Sequence, residues 1–205
     1  MCQLKRKHVF SAVKQAINLY KLQLIFLTGD EVVDHPSNRY MTRSADASTL
    51  TRAELAMIRV LEAFSRWSYF LHKSVSGRPL GPQDVWLLHS IRMCGGAQNL
   101  SELLLFLNRN DVSTIQYSLR KIEQFGLIER VTGHSKREAG YRLTELGIEA
   151  TDSYAELREE MMVGLVGNVI GLVPALAEAA SALERLTSLY DQSTQSVLNR
   201  KILGN

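Results

Sequence analysis

The residues that could do chemistry cluster in one segment, Asp111 to Gly126. Wound as a helix, it puts Val112, Ile115, Leu119 and Ile122 on an apolar stripe at steps of three and four. Ser113, Thr114, Gln116, Tyr117 and Arg120 fall on the other side. That polar set suits hydrogen bonding to duplex DNA. Glutamine can pair with an adenine edge, arginine with guanine O6 and N7, and hydroxyls with bases or phosphates. Residues near the start of such a helix reach deepest into the major groove. A face selected only for solubility would be richer in Glu and Lys, and these positions hold no acid.

A second cluster follows directly. Leu127 to Thr132 alternates like a strand, Gly133 to Gly140 reads as a turn, and Tyr141-Arg142-Leu143 reads as the returning strand. Lys136 and Arg137 at the tip, with Ser135 beside them and Arg130 and Arg142 on the arms, are placed to contact phosphates. Such contacts supply affinity and register without sequence information. His134 is either a further DNA contact or an exposed turn histidine with no role.

Other chemistry finds little footing. The five histidines are scattered singly, and the chain carries no nucleophile elbow, phosphate-binding glycine loop or HExxH. Cys2 and Cys94 stand far apart and belong to no metal-ligand cluster. Neither an enzyme, a metal site nor a cofactor is expected. Cys94 reads as a helix-packing thiol, with redox sensing as the alternative. Trp67, Tyr69, Phe70, His72 and Trp86 form an aromatic group that is either plain core or the lining of a pocket for a small aromatic effector.

Several helices must position these side chains. Apolar residues at helical spacing predict one over residues 51–76, with Thr51 as its cap, stopped by Gly77, Pro79 and Gly81. Further helices are expected from Pro82 to Gly95 and from Leu100 to Leu107. Asp111 is placed to cap the polar helix and Gly126 to end it. Past the hairpin, Thr144 caps a helix that Pro174 breaks or kinks, and another runs Ala175 to Tyr190. The tail, 193–205, is polar enough to fray. Net charge is +4 over residues 1–43 and −5 over 143–205, an asymmetry suited to a nucleic-acid-facing part joined to an acidic part.

Residues 1–50 read as an amino-terminal extension and linker, with Met41 as an alternative start. Lys14, Asn18 and Lys21 interrupt its apolar stretch, against a signal peptide. No run approaches 18 apolar residues, so a cytoplasmic protein without a membrane span is expected.

The run Leu119-Arg-Lys-Ile-Glu-Gln-Phe-Gly-Leu-Ile-Glu-Arg130, the basic hairpin and Leu143-Thr-Glu-Leu-Gly147 resemble the winged-helix regulators of the MarR family. The likeness covers about residues 50–192. It implies a mainly α fold with a small β-hairpin wing: a winged helix-turn-helix over 77–144, with dimerisation helices at 51–76 and 145–192. It further implies a homodimer on a palindromic site in double-stranded DNA, often a repressor released by a small aromatic ligand or by oxidation. The Asp-x-Arg pair that many members carry in the wing is replaced by Gly133-His-Ser-Lys-Arg137, leaving Arg137 as heir to its arginine. The alternative is a winged helix that mediates protein contacts or binds DNA without sequence preference.

Overall fold

The computed structural model describes residues 43–132 and 140–203, with side chains given up to Arg200. Chain contacts separate a unit ending at Arg59 from a unit running from Val60 to Asn205. In the first, helix α1 (Ala45–Ser76) begins six residues before Thr51. Its start is capped by Ser44, whose hydroxyl accepts the Ala47 N–H at 3.1 Å. Ala45 to Leu50 are compatible with a helix but largely polar or small, so apolar periodicity does not register them.

The second unit carries the rest of α1, then α2 (Pro82–Cys94), α3 (Leu100–Phe106) and α4 (Val112–Gln124). The antiparallel strands β1 (Ile128–Val131) and β2 (Gly140–Leu143) come next, followed by α5 (Glu145–Arg158). A π-helical turn, Glu159–Val163, leads to α6 (Gly164–Gly167) and α7 (Leu172–Leu203). Caps explain most of these boundaries. Pro82 opens α2, where its missing N–H costs nothing, and Asp84 accepts the Gly81 N–H at 2.9 Å. Asn99 and Glu102 bond each other's backbone N–H groups at 3.0 and 2.8 Å, closing a capping box on α3.

The core is a single cluster in which Leu80, Val85, Leu87, Leu88 and Ile91 meet Leu103, Ile115, Leu119, Ile122, Leu127 and Ile128. Tyr154 and Ala150 of α5 complete it, with Leu71 of α1. In the wing Ile128 pairs with Leu143 and Arg130 with Tyr141. Gln98 adds a one-residue third strand through reciprocal bonds with Tyr141 at 2.8 and 2.9 Å.

The carboxyl-terminal helices differ from expectation. Pro174 neither breaks nor kinks the chain: it is the third residue of α7, within the turn whose N–H groups have no helical partner. The break falls at Asn168 to Gly171, where Gly171 adopts φ +78° and the chain bends by 103°. Residues 193–203, expected to fray, continue α7. No single helix among the described residues is long and apolar enough to cross a membrane.

Two glycines give a test of this packing. A Cβ on Gly147 would stand 2.0 Å from the Leu127 carbonyl oxygen, whereas one on Gly164 would meet nothing within 4 Å. Gly147→Ala is expected to cost about 1–3 kcal/mol or more. Gly164→Ala should gain up to about 1 kcal/mol. Urea denaturation of the two variants should move the midpoint in opposite directions.

Candidate nucleic-acid interface

Helix α4 is held from below and at its end. Ile115, Leu119 and Ile122 are fully buried, and Ser118 beside them is nearly so. Val112, the first member of the stripe, is 43% exposed because it lies in the opening turn, beyond the core's edge. Lys121 reaches the buried Asp84 of α2 at 2.7 Å, and the same carboxylate oxygen accepts the Gly81 N–H. Arg78 donates from Nε to the Phe125 carbonyl at 3.1 Å, tying down one of the last carbonyls of the helix. Gly126, at φ +72°, then turns the chain into the wing.

With that side fixed, Ser113, Thr114, Gln116, Tyr117 and Arg120 are all exposed on the outer face. Tyr117 and Arg120, with Gln124, border a shallow surface depression. The five residues singled out from the sequence therefore share one accessible surface, with Arg120 a cation free of carboxylate partners among the described residues.

The wing arginines are less free. Arg142 donates to Glu129, its cross-strand partner, at 2.7 Å. Arg130 lies 3.7 Å from Glu123 and over the Tyr141 ring at 5.4 Å. Both are more than half exposed, so either can exchange its carboxylate for another acceptor at little cost. His134, Ser135, Lys136 and Arg137 lie outside the described residues.

Asp111 occupies the cap position of α4, but its carboxylate does not cap the helix. Arg109 takes it instead: Nε donates to Oδ1 at 2.6 Å and Nη2 to Oδ2. That bond, with smaller help from Thr114, pulls the Asp111 carboxyl down to about 2. Arg109 is not among the residues singled out by spacing, although an Arg-x-Asp pattern at a helix entrance is the signal for it.

The aromatic group comes together only in part. Trp86 stacks on Phe64 at 5.7 Å, and Trp67 meets Phe64 at 6.3 Å and the Tyr154 edge at 6.0 Å. His72 is fully buried and bonds the Ser76 hydroxyl at 2.9 Å. Phe70 stands apart: it is 65% exposed and packs edge-on against Tyr69. Being two residues before His72, it faces the far side of α1. His89, one of the singly scattered histidines, packs on Tyr154 at 4.2 Å. His72 Nδ1, His89 Nε2, Trp86 Nε1 and Gln83 Nε2 are buried without a hydrogen-bond partner among the described residues.

Burial, then the positive charge of Arg78, lowers His72 to about 4. Burial, then His72 and Arg158, lowers His89 to about 4. The unfolded chain takes up these protons near pH 6.5, so between pH 6.5 and 4 it holds more protons than the folded protein. The stability contributed by the neutral imidazoles is fully present above about pH 6.5. It is lost as pH falls to 4, on the order of 3 kcal/mol for each histidine. Urea titrations from pH 7.5 to 4.5 should show this fall, and the His72→Gln, His89→Gln double variant a flatter profile. Parallel profiles for the two proteins would count against it.

Residues 80–147 match the family model described as "Winged helix DNA-binding domain". No curated protein matches the sequence. Among solved structures, a MarR/EmrR family transcriptional regulator from Acinetobacter sp. ADP1 is similar at 20% identity and a TM-score of 0.54, covering 69% of this chain and 96% of its own. The transcriptional regulator MosR of M. tuberculosis, solved in complex with DNA, is similar at 18% identity and a TM-score of 0.53, covering 67% of this chain and 96% of its own. The S. aureus MepR–DNA complex is similar at 16% identity and a TM-score of 0.52, covering 65% and 94%.

Proposed function

From a chain with the winged-helix DNA-binding fold of MarR-type transcription regulators, we propose a sequence-specific regulator, a repressor, that acts as a homodimer on a two-fold site in duplex DNA. The observation that carries the reading is the outer face of α4. Ser113, Thr114, Gln116, Tyr117 and Arg120 stand exposed on a helix whose rotation is set by its buried stripe and by Lys121–Asp84. Two similar structures, of MepR and MosR, are complexes with DNA. Arg130 and Arg142, with Lys136 and Arg137, supply the phosphate-binding charge of the wing.

Dimerisation is supported by apolar surface that a lone chain leaves in water. On α7, Val173, Leu176, Leu183, Leu189 and Tyr190 are all exposed, and Ile170 at the bend is fully so. A second copy covering them would make a closed two-fold pair and set two α4 helices about one DNA turn apart. Leu176→Glu with Leu183→Glu should convert the dimer to monomers in light scattering and abolish binding to a two-fold site.

Trp67, Trp86 and His72 line the effector pocket. Its support is the set of buried ring nitrogens without a partner among the described residues, which an aromatic ligand with polar groups would satisfy. The protein works in the cytoplasm, beside the DNA it reads.

The deciding experiment is selection of sequences from a random duplex library at two salt concentrations. A selected palindrome with affinity falling steeply with salt is expected. Arg120→Ala and Gln116→Ala should each relax preference at one position per half-site, by about 1–3 kcal/mol. Binding that is absent or blind to sequence would reject the reading in favour of a winged helix that serves protein contacts or binds DNA without preference.

A further inference from the structure

Arg109 and Asp111 form a pair whose geometry is more specific than an ordinary surface ion pair. The guanidinium uses one edge, Nε and Nη2, to grip both oxygens of the carboxylate. Of its five N–H donors, the other three, one on Nη2 and two on Nη1, meet no acceptor among the described residues, and one from each nitrogen points along the forward edge. The backbone beneath is shaped as firmly. Asn108 adopts φ +49° and donates to Leu105 O at 3.1 Å, while Arg109 donates to Leu104 O at 2.8 Å. The arginine is therefore held at both ends at the entrance to α4, next to the exposed Asn110, Ser113 and Thr114.

We propose that Arg109, buttressed by Asp111, reads a guanine in the major groove through its forward Nη1 and Nη2 edge. The inference rests on the DNA-binding reading of α4 and adds a specificity-determining residue to it. Two parallel N–H groups match guanine O6 and N7, and the rigid fork lowers the ordering entropy that a free arginine would lose on binding. The alternative target, a backbone phosphate, is disfavoured by the partner. Asp111 stays ionised across the working range, and its carboxylate would repel a phosphate within reach of the same guanidinium, whereas a neutral base edge meets no such repulsion.

The test compares the full-length wild type, Arg109→Ala and Asp111→Asn in the same library selection, followed by titration of the selected duplex and of single-base variants. Arg109→Ala is expected to lose a guanine preference at one position in each half-site, with affinity for the selected site reduced roughly tenfold or more. Preference elsewhere and the salt slope should remain. Asp111→Asn should weaken that guanine preference while raising affinity for unrelated duplex, with little change in the unfolding midpoint. A uniform loss of affinity on all sequences with a shallower salt slope would make Arg109 a phosphate contact and overturn the proposal. So would unchanged preference in Arg109→Ala. Failure of the wild type to select any sequence would instead reject the DNA-binding reading itself.

Discussion

Burial of one side of α4 is the constraint on which the rest depends. Ile115, Leu119 and Ile122 lie in the core shared with α2, α3 and the first wing strand, and they set which residues of the helix face outward. A helix gripped only by apolar contacts can still rotate or slide by a fraction of a turn. Lys121 removes that freedom, because its ammonium must stay with a carboxylate that is itself buried and capping α2. Breaking the pair would strand the Asp84 charge in a low-dielectric site, a cost larger than the net worth of the intact contact.

The wing depends on the same helix through its exit. Thr144 donates to the Gly126 carbonyl at 2.6 Å, accepts from the Gly147 N–H at 3.1 Å, and its own N–H reaches Leu127 O at 3.1 Å. The residue that starts α5 thus also holds the turn ending α4. Gly147 lies so close to the Leu127 carbonyl that no side chain fits there. The spacing of threonine and glycine in Leu143-Thr-Glu-Leu-Gly147 is accordingly a packing requirement between wing and helix, independent of DNA.

Charge is distributed to match. Acids partner Arg130 and Arg142 on the wing, while Arg120 on the outer face of α4 has no carboxylate partner among the described residues. An arginine already paired must trade one acceptor for another on meeting a phosphate, so the wing contributes orientation as much as raw attraction. Beneath α1 and α2 the two buried histidines remain neutral, because burial and nearby cations both oppose protonation.

Local sequence was sufficient for the polar face of α4, its apolar stripe, the Thr144 cap, Gly126 as terminator and the hairpin. Each follows from side-chain spacing or from a residue whose backbone preference acts within one turn. What required the tertiary structure was every choice between competing partners. Asp111 is an ordinary cap in sequence, yet Arg109 claims its carboxylate. Lys121 reads as a solvated lysine until α2 brings Asp84 beneath it, thirty-seven positions away. Phe70 joins Trp67 and Trp86 in composition but leaves them in space, because α1 turns it outward. Pro174 signals a break that Gly171 makes instead, since proline is harmless within a first turn and a left-handed glycine is not. Periodicity records which face is buried; it does not record what lies against that face, because that partner is supplied by residues distant in the chain.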